Sequence, residues 1–222
     1  MVSRLTWVVT VVCLCGTLTA MAADWPGFFG PTHNGLAPDT GLNKDWAAKP
    51  PRELWRAPLS DGGFAGPAVA EGKVFIVDHQ GAQDMVRAFD LQSGQQAWQY
   101  VYPDLDKSNY GFAEATPTCS DGLLYTVSRL GRINCLAAAD GKLVWSKSMT
   151  ADLGGRPANW LFAESVCVDG DKLIICTGAT TGNVVALNKK TGEVLWTGGN
   201  CDLPGYATAV VAEILGQKQY VV

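Results

Sequence analysis

Between Gly66 and Gly198 the chain is a succession of short apolar runs broken every six to ten residues by polar, Gly-containing turns. GPAVAEG, KVFIVD, MVRAFD and QQAWQY come first, then ATPTC, LLYTVS, INCLAA and KLVWSKS, then ESVCVDG, KLIICTG, NVVALN and EVLWTG. Runs of this length, rich in β-branched and aromatic residues, predict strands joined by hairpins. In KLVWSKS the alternation places Leu143 and Trp145 on one face. Beyond residue 22 no stretch carries the 3.6-residue period of an amphipathic helix.

One skeleton closes each set of four runs. AFDLQSGQQAW, CLAAADGKLVW and ALNKKTGEVLW place a glycine at 94, 141 and 192 and a tryptophan at 98, 145 and 196. Both markers step by 47 and then 51 residues, and two markers moving together signal an internal repeat. Each unit reads as a four-stranded antiparallel meander, and such units repeated radially predict an all-β β-propeller. Blades are expected at about 63–102, 113–149 and 163–198, with a partial blade at 206–222 that stops after two strands. RELWRAP supplies an isolated strand around Trp55, expected as a closing strand. The ring is therefore expected to be incomplete, with an exposed face at each end and a tendency to self-associate.

Within the skeleton, Asp90 and Asn188 are expected to cap the hairpin loop, and Gly94, Gly141 and Gly192 to supply its positive φ. Ala137 replaces the cap in the second unit, so the cap is dispensable. The indoles of Trp98, Trp145 and Trp196 are expected to lie between blades, where each can bury a large apolar surface; stacking on a ligand is the alternative.

The pattern A-x-D-x-x-[ST]-G-x-x-x-W resembles the repeat of the pyrroloquinoline quinone (PQQ)-like propellers. AFDLQSGQQAW matches throughout; ALNKKTGEVLW departs at Asn188, and CLAAADGKLVW at Cys135, Ala137 and Asp140. DWPGFFGPTHNGLAPDTGL is similar to the start of exported PQQ-like propeller proteins of unassigned function. The resemblance implies fold more than activity, since that family holds quinoprotein alcohol dehydrogenases and also non-enzymatic scaffolds such as the outer-membrane assembly lipoprotein. Its dehydrogenases hold the quinone on the axis over a tryptophan, with calcium bound by Asn, Asp and Glu, and often place a disulfide of adjacent cysteines above it. This sequence has no Cys-Cys pair, and no aspartate here matches a catalytic motif of those enzymes.

Composition changes the picture mainly at the N-terminus. Arg4, the apolar run Leu5 to Leu18 and Ala20-Met21-Ala22 have the order of a secretory signal peptide over 1–22. An uncleaved anchor helix and lipid attachment at Cys13 or Cys15 are the competing readings. An N-terminal extension, 23–51, then precedes the repeats at 52–222. Loss of Arg4 moves the formal charge from −4 to −5, and without a basic run a nucleic-acid partner is not expected, nor a membrane span after cleavage. Cys119, Cys135, Cys167, Cys176 and Cys201 remain; packing is preferred over a disulfide framework because Cys135 stands where Ala88 and Ala186 do.

The candidate ligand face lies in the loops before each first strand, which rim one end of a propeller axis. They carry Phe64, Tyr110, Phe112, Glu114, Trp160, Phe162, Glu164 and Tyr206. Aromatic rings beside carboxylates suit a protein or glycan ligand; plugged blade tops with solvated rim charges are the competing reading. Asp104-Leu105-Asp106-Lys107-Ser108 begins like a calcium loop but has Asn109 where that loop needs glycine. His33 and His79 have no ligand-spaced partner, so no metal site and no catalytic residue is assigned. The reading is a non-enzymatic binding or scaffold module, exported to the periplasm or cell envelope and without a cofactor. The alternatives are part of a quinoprotein alcohol dehydrogenase, using PQQ with calcium, or a polysaccharide-binding accessory domain. Mass spectrometry of envelope material is expected to find the mature N-terminus at Ala23 or within a residue or two; an intact Met1 overturns cleavage.

Overall fold

The computed structural model describes residues 23–60, 63–105, 111–199 and 203–222; the expected signal peptide and Cys201 lie outside them. Three antiparallel four-stranded sheets follow one another, each a simple meander. The first holds β1 (Ala68–Ala70), β2 (Lys73–Gln80), β3 (Gln83–Asp90) and β4 (Gln96–Pro103). The second holds β5 (Thr118–Ser120), β6 (Leu123–Val127), β7 (Arg132–Ala137) and β8 (Leu143–Ser148). The third holds β9 (Cys167–Asp169), β10 (Lys172–Cys176), β11 (Val184–Asn188) and β12 (Val194–Gly198). A fourth sheet has two strands, β13 (Val210–Ile214) and β14 (Gln217–Val221). The short strands β1, β5, β9 and β13 neighbour one another in that order, so they are the inner strands of an unclosed propeller arc. None of the described residues forms a helix long and apolar enough to cross a membrane.

The core lies between the sheets. Phe75, Val77 and Val86 of the first sheet pack with Leu124 and Leu136 of the second. Tyr125, Val127 and Ile133 of the second pack with Leu173, Ile175 and Val185 of the third. Cys167, Ile174 and Ala186 then meet Ala209, Val211 and Tyr220. The four described cysteines are buried, and burial pushes the thiols of Cys119 and Cys135 up to about 12.

The repeated skeleton becomes a contact between sheets. Trp98 lies against Gly141 and donates its indole N–H to the Ala138 carbonyl at 3.1 Å. Trp145 lies against Gly192 and donates to the Lys189 carbonyl at 3.0 Å. A Cβ on Gly141 or Gly192 would stand 2.5 or 2.9 Å from the ring, so these glycines are needed for close approach as well as for φ values of 74° and 73°. The small residue of the motif has its own cause. Ala88, Cys135 and Ala186 sit directly opposite Trp98, Trp145 and Trp196 in the ladder, and each is followed by a register shift. Asp90 accepts N–H bonds from Gln92 and Ser93, and Asn188 from Lys190 and Thr191, which closes the two capped loops. The Ser93 hydroxyl and amide hold the Asp90 carboxyl below its ordinary value.

Residues around Trp55 pair with no described strand. The ring nonetheless takes the position of its counterparts: it covers Gly94 and donates to the Leu91 carbonyl at 2.9 Å. Trp196 meets Tyr220, with ring centres 5.6 Å apart. Trp145→Ala is expected to cost about 3–5 kcal/mol, the range for truncating a packed aromatic. Gly192→Ala is expected to cost less in that background than in the wild type, with a coupling of at least about 0.5 kcal/mol in denaturant melts. Strictly additive effects would mean that ring and glycine do not act as a unit.

Candidate functional site

The loops entering the inner strands place equivalent positions around the axis. Four residues before β1, β5, β9 and β13 stand Phe64, Glu114, Ala163 and Tyr206. All four line one open cleft of about 570 Å³. Two residues before the same strands stand Gly66, Thr116, Ser165 and Thr208, which line it more deeply. These are joined from blade to blade. The Gly66 N–H donates to Thr116 Oγ1 at 3.1 Å, the Thr116 N–H to Ser165 Oγ at 2.9 Å, and the Ser165 N–H to Thr208 Oγ1 at 3.2 Å. Each hydroxyl oxygen is thus oriented by an amide and still carries a hydrogen of its own to donate.

One wall comes from the N-terminal extension. Trp25 and Val69 exchange two backbone hydrogen bonds of 2.8 Å, and the Pro26 carbonyl accepts the Cys119 N–H at 2.7 Å. Residues 25–26 therefore run along the inner edges of β1 and β5. The chain turns back through the Gly30 N–H to Gly27 carbonyl bond of 3.0 Å and sets Phe28 and Phe29 at the cleft, their rings 4.3 Å apart. Phe29 has a φ of 62°, a region that bulky side chains rarely occupy. On the opposite side Trp160 stacks on Tyr206 at 5.1 Å and donates its backbone N–H to the tyrosine oxygen at 3.0 Å. A contiguous depression of about 330 Å³ is bounded by this pair, Phe28, Phe64, Glu114 and Ala163.

Glu114 is the carboxylate lining the cleft. Arg129 Nη1 lies 3.3 Å from it, and the same guanidinium donates to the carbonyls of Gly111 and Trp160. Burial raises the Glu114 carboxyl and Arg129 opposes that shift. The site is therefore a nearly neutral cleft with aromatic walls and a hydroxyl floor.

Of the expected face, Phe64, Glu114, Trp160 and Tyr206 come together, whereas three others do not. Phe112 stacks flat on His79 with ring centres 3.7 Å apart. Phe162 is buried against Gly131 and Met149. Glu164 is 2% exposed, with one oxygen accepting the Cys176 N–H and the other without a hydrogen-bond partner. The reason is a one-residue difference in loop length. Glu114 precedes its strand by four residues and Glu164 by three, so Glu164 takes the inward position of Ala115 while Ala163 takes that of Glu114. Tyr110 and the central part of the calcium-like loop lie outside the described residues.

His79 serves the first blade. Its Nδ1 lies 2.8 Å from Asp84 and its Nε2 2.5 Å from the Gly81 carbonyl, and the Tyr102 hydroxyl donates to the same carboxyl at 3.1 Å. Burial pushes Asp84 up to about 6 against the pull of the His79 and Tyr102 bonds.

A family model described as outer membrane protein assembly factor BamB, built on PQQ repeats, matches residues 45–107 and 82–222. Quinoprotein ethanol dehydrogenase of Pseudomonas aeruginosa is 26% identical over 170 residues, which are 77% of this chain and 26% of that protein. BamB of Shewanella oneidensis is 29% identical over 157 residues, 66% of this chain and 36% of the relative. The chain thus spans about a quarter to a third of these relatives. Among solved structures, quinohemoprotein alcohol dehydrogenase of Comamonas testosteroni aligns with a TM-score of 0.53 at 22% identity, over 80% of this chain and 28% of that one, a likeness of fold.

A quinone held with calcium does not fit the cleft as the described residues build it. Calcium takes six to eight oxygen ligands, and the lining carboxylate is already engaged by Arg129. Among the described residues no group of three His, Cys, Asp or Glu side chains is placed to hold a metal ion.

Burial raises the Glu164 carboxyl well above its ordinary 4.5. The folded chain therefore holds this proton more tightly than the unfolded chain. The associated stability is fully present below the unfolded value and is lost as pH rises from there through the folded value. Glu164→Gln, which keeps the acceptor for Cys176, is expected to lessen the loss of stability as pH rises above the ordinary carboxyl value of 4.5 in denaturant melts. Parallel pH profiles for wild type and variant would rule out a buried, protonated Glu164.

Proposed function

This chain belongs to the PQQ-repeat family of the outer membrane protein assembly factor BamB, and from that premise we propose that it is a non-enzymatic binding module of the cell envelope. Its ligand, a protein or a glycan, enters the cleft over the inner strands. The observation that carries the reading is the convergence of Phe64, Glu114 and Tyr206 from equivalent positions of different blades with Phe28 and Phe29 of the N-terminal extension. Structural cores do not need aromatic side chains that remain half exposed around a cleft, whereas recognition of an apolar ligand surface does. Phe64 is 74% exposed and Trp160 51%. Export is supported by Arg4, the apolar run to Leu18 and Ala20-Met21-Ala22.

Relatives named as quinoprotein dehydrogenases support a second reading, in which the chain is part of such an enzyme. The two are separated by one set of measurements on the full chain. Peptide-display and glycan-array screens are expected to yield a ligand whose binding Trp160→Ala and Tyr206→Ala weaken at least about tenfold, as for a recognition hot spot. Their melting transitions should move little, because both rings are exposed. Dye-linked alcohol oxidation after addition of PQQ and calcium would overturn the non-enzymatic reading. Ligands whose binding ignores both substitutions would overturn the cleft.

A further inference from the structure

We infer that the cleft binds an extended, uncharged peptide carrying an aromatic side chain, and that the peptide pairs with the inner edge of β9 as the N-terminal arm pairs with β1. This rests on the reading of the cleft as a binding site and names the ligand class and its mode.

The template is the chain itself. Along the axis, β1 and β5 turn one row of main-chain groups inward, and Trp25-Pro26 satisfies them. Val69 exchanges both of its bonds with Trp25, and the Cys119 N–H goes to Pro26. The same register governs the third sheet. Val168 stands opposite Leu173 as Val69 stands opposite Val74 and Cys119 opposite Leu124. In an antiparallel pair of this kind the two residues do not bond each other, so the N–H and C=O of Val168 point away from β10, toward the axis. Among the described residues no backbone hydrogen bond outside the ladders reaches Val168. Beside β1 and β5 the axial space thus holds the extended Trp25-Pro26 followed by a turn that carries Phe28 and Phe29, and β9 presents the same edge without such a segment.

The surroundings agree with that occupant. Above β9 the hydroxyls of Ser165 and Thr208 are ready to donate to backbone carbonyls, a group that every peptide residue supplies. The Trp160–Tyr206 pair faces the arm's Phe28 across the depression, leaving an aromatic-walled slot for one side chain. Glu114 is neutralised by Arg129, so the slot has no excess charge with which to select a charged residue. Backbone pairing with pockets for alternate side chains is the general mode of strand addition.

The test uses the full chain and a synthetic peptide of the sequence Trp25 to Pro31, WPGFFGP, acetylated and amidated so that it is uncharged, with a photo-crosslinker in place of its Phe28 side chain. Expected crosslinks fall on Trp160, Tyr206 or β9. Methylation of the peptide nitrogen at the Trp25 position, which deletes the donor used in the arm, is expected to weaken binding about fivefold by fluorescence anisotropy, the worth of one net hydrogen bond. Tyr206→Ala should weaken it as well. Crosslinks confined to β1 or β5 would show exchange with the arm and overturn the proposal, as would an affinity indifferent to N-methylation. A glycan that binds through Tyr206, with no peptide binding, would overturn the peptide assignment and leave the cleft reading standing. Failure of every ligand class would remove both.

Discussion

The arc depends on one contact, an indole laid on a glycine whose backbone has a left-handed φ. Three requirements meet at that glycine. The hairpin loop must close, the loop must have no Cβ there so that the ring can approach, and the carbonyl three residues earlier must accept the indole N–H. Trp98 over Gly141 and Trp145 over Gly192 satisfy all three with closely matching geometry. The ring in turn demands a small residue across the ladder, which is why Ala88, Cys135 and Ala186 stand opposite the tryptophans. The contact adds to the apolar core packed between the sheets and fixes them at the hairpins of their outer strands, since the inner strands are only three residues long in the first three blades.

Fixing the sheets at their outer edges leaves the inner strands free to serve the axis. Successive blades meet there through single hydrogen bonds from an amide of one to a hydroxyl of the next, as from Gly66 to Thr116 and on to Ser165 and Thr208. The residues two positions earlier need meet no packing rule. Phenylalanine, glutamate, alanine and tyrosine occupy that one position in the four blades. Recognition surfaces arise where a repeat constrains the backbone and leaves the side chain open.

The fold was legible in the sequence because a glycine and a tryptophan recur at the same spacing, and their recurrence has a steric cause. The site was legible only in part. Counting from the preceding aromatic residue aligns Glu164 with Glu114, but counting back from the strand aligns it with Ala115, and the shorter loop decides for the latter. No local signal reveals this, because the missing residue lies in a loop. The role of Trp25 to Phe29 was hidden for a different reason. Their partners are Val69 and Cys119, more than forty and ninety residues away, and pairing through main-chain atoms leaves no side-chain pattern to read. The Phe-Phe pair beside Gly27 and Gly30 was the available hint.

The indole contact also has a direction. Each blade offers a ring to the blade that follows it and receives one from the blade before, so the arc is a polar object with a giving end and a receiving end. Contacts of that kind join unlike surfaces, and units that join by unlike surfaces add head to tail rather than as two-fold pairs. At the receiving end the vacancy over Gly94 is taken by Trp55 of the same chain. A single side chain from an irregular segment thus does for the first blade what the outer strand of the preceding blade does for the second and third.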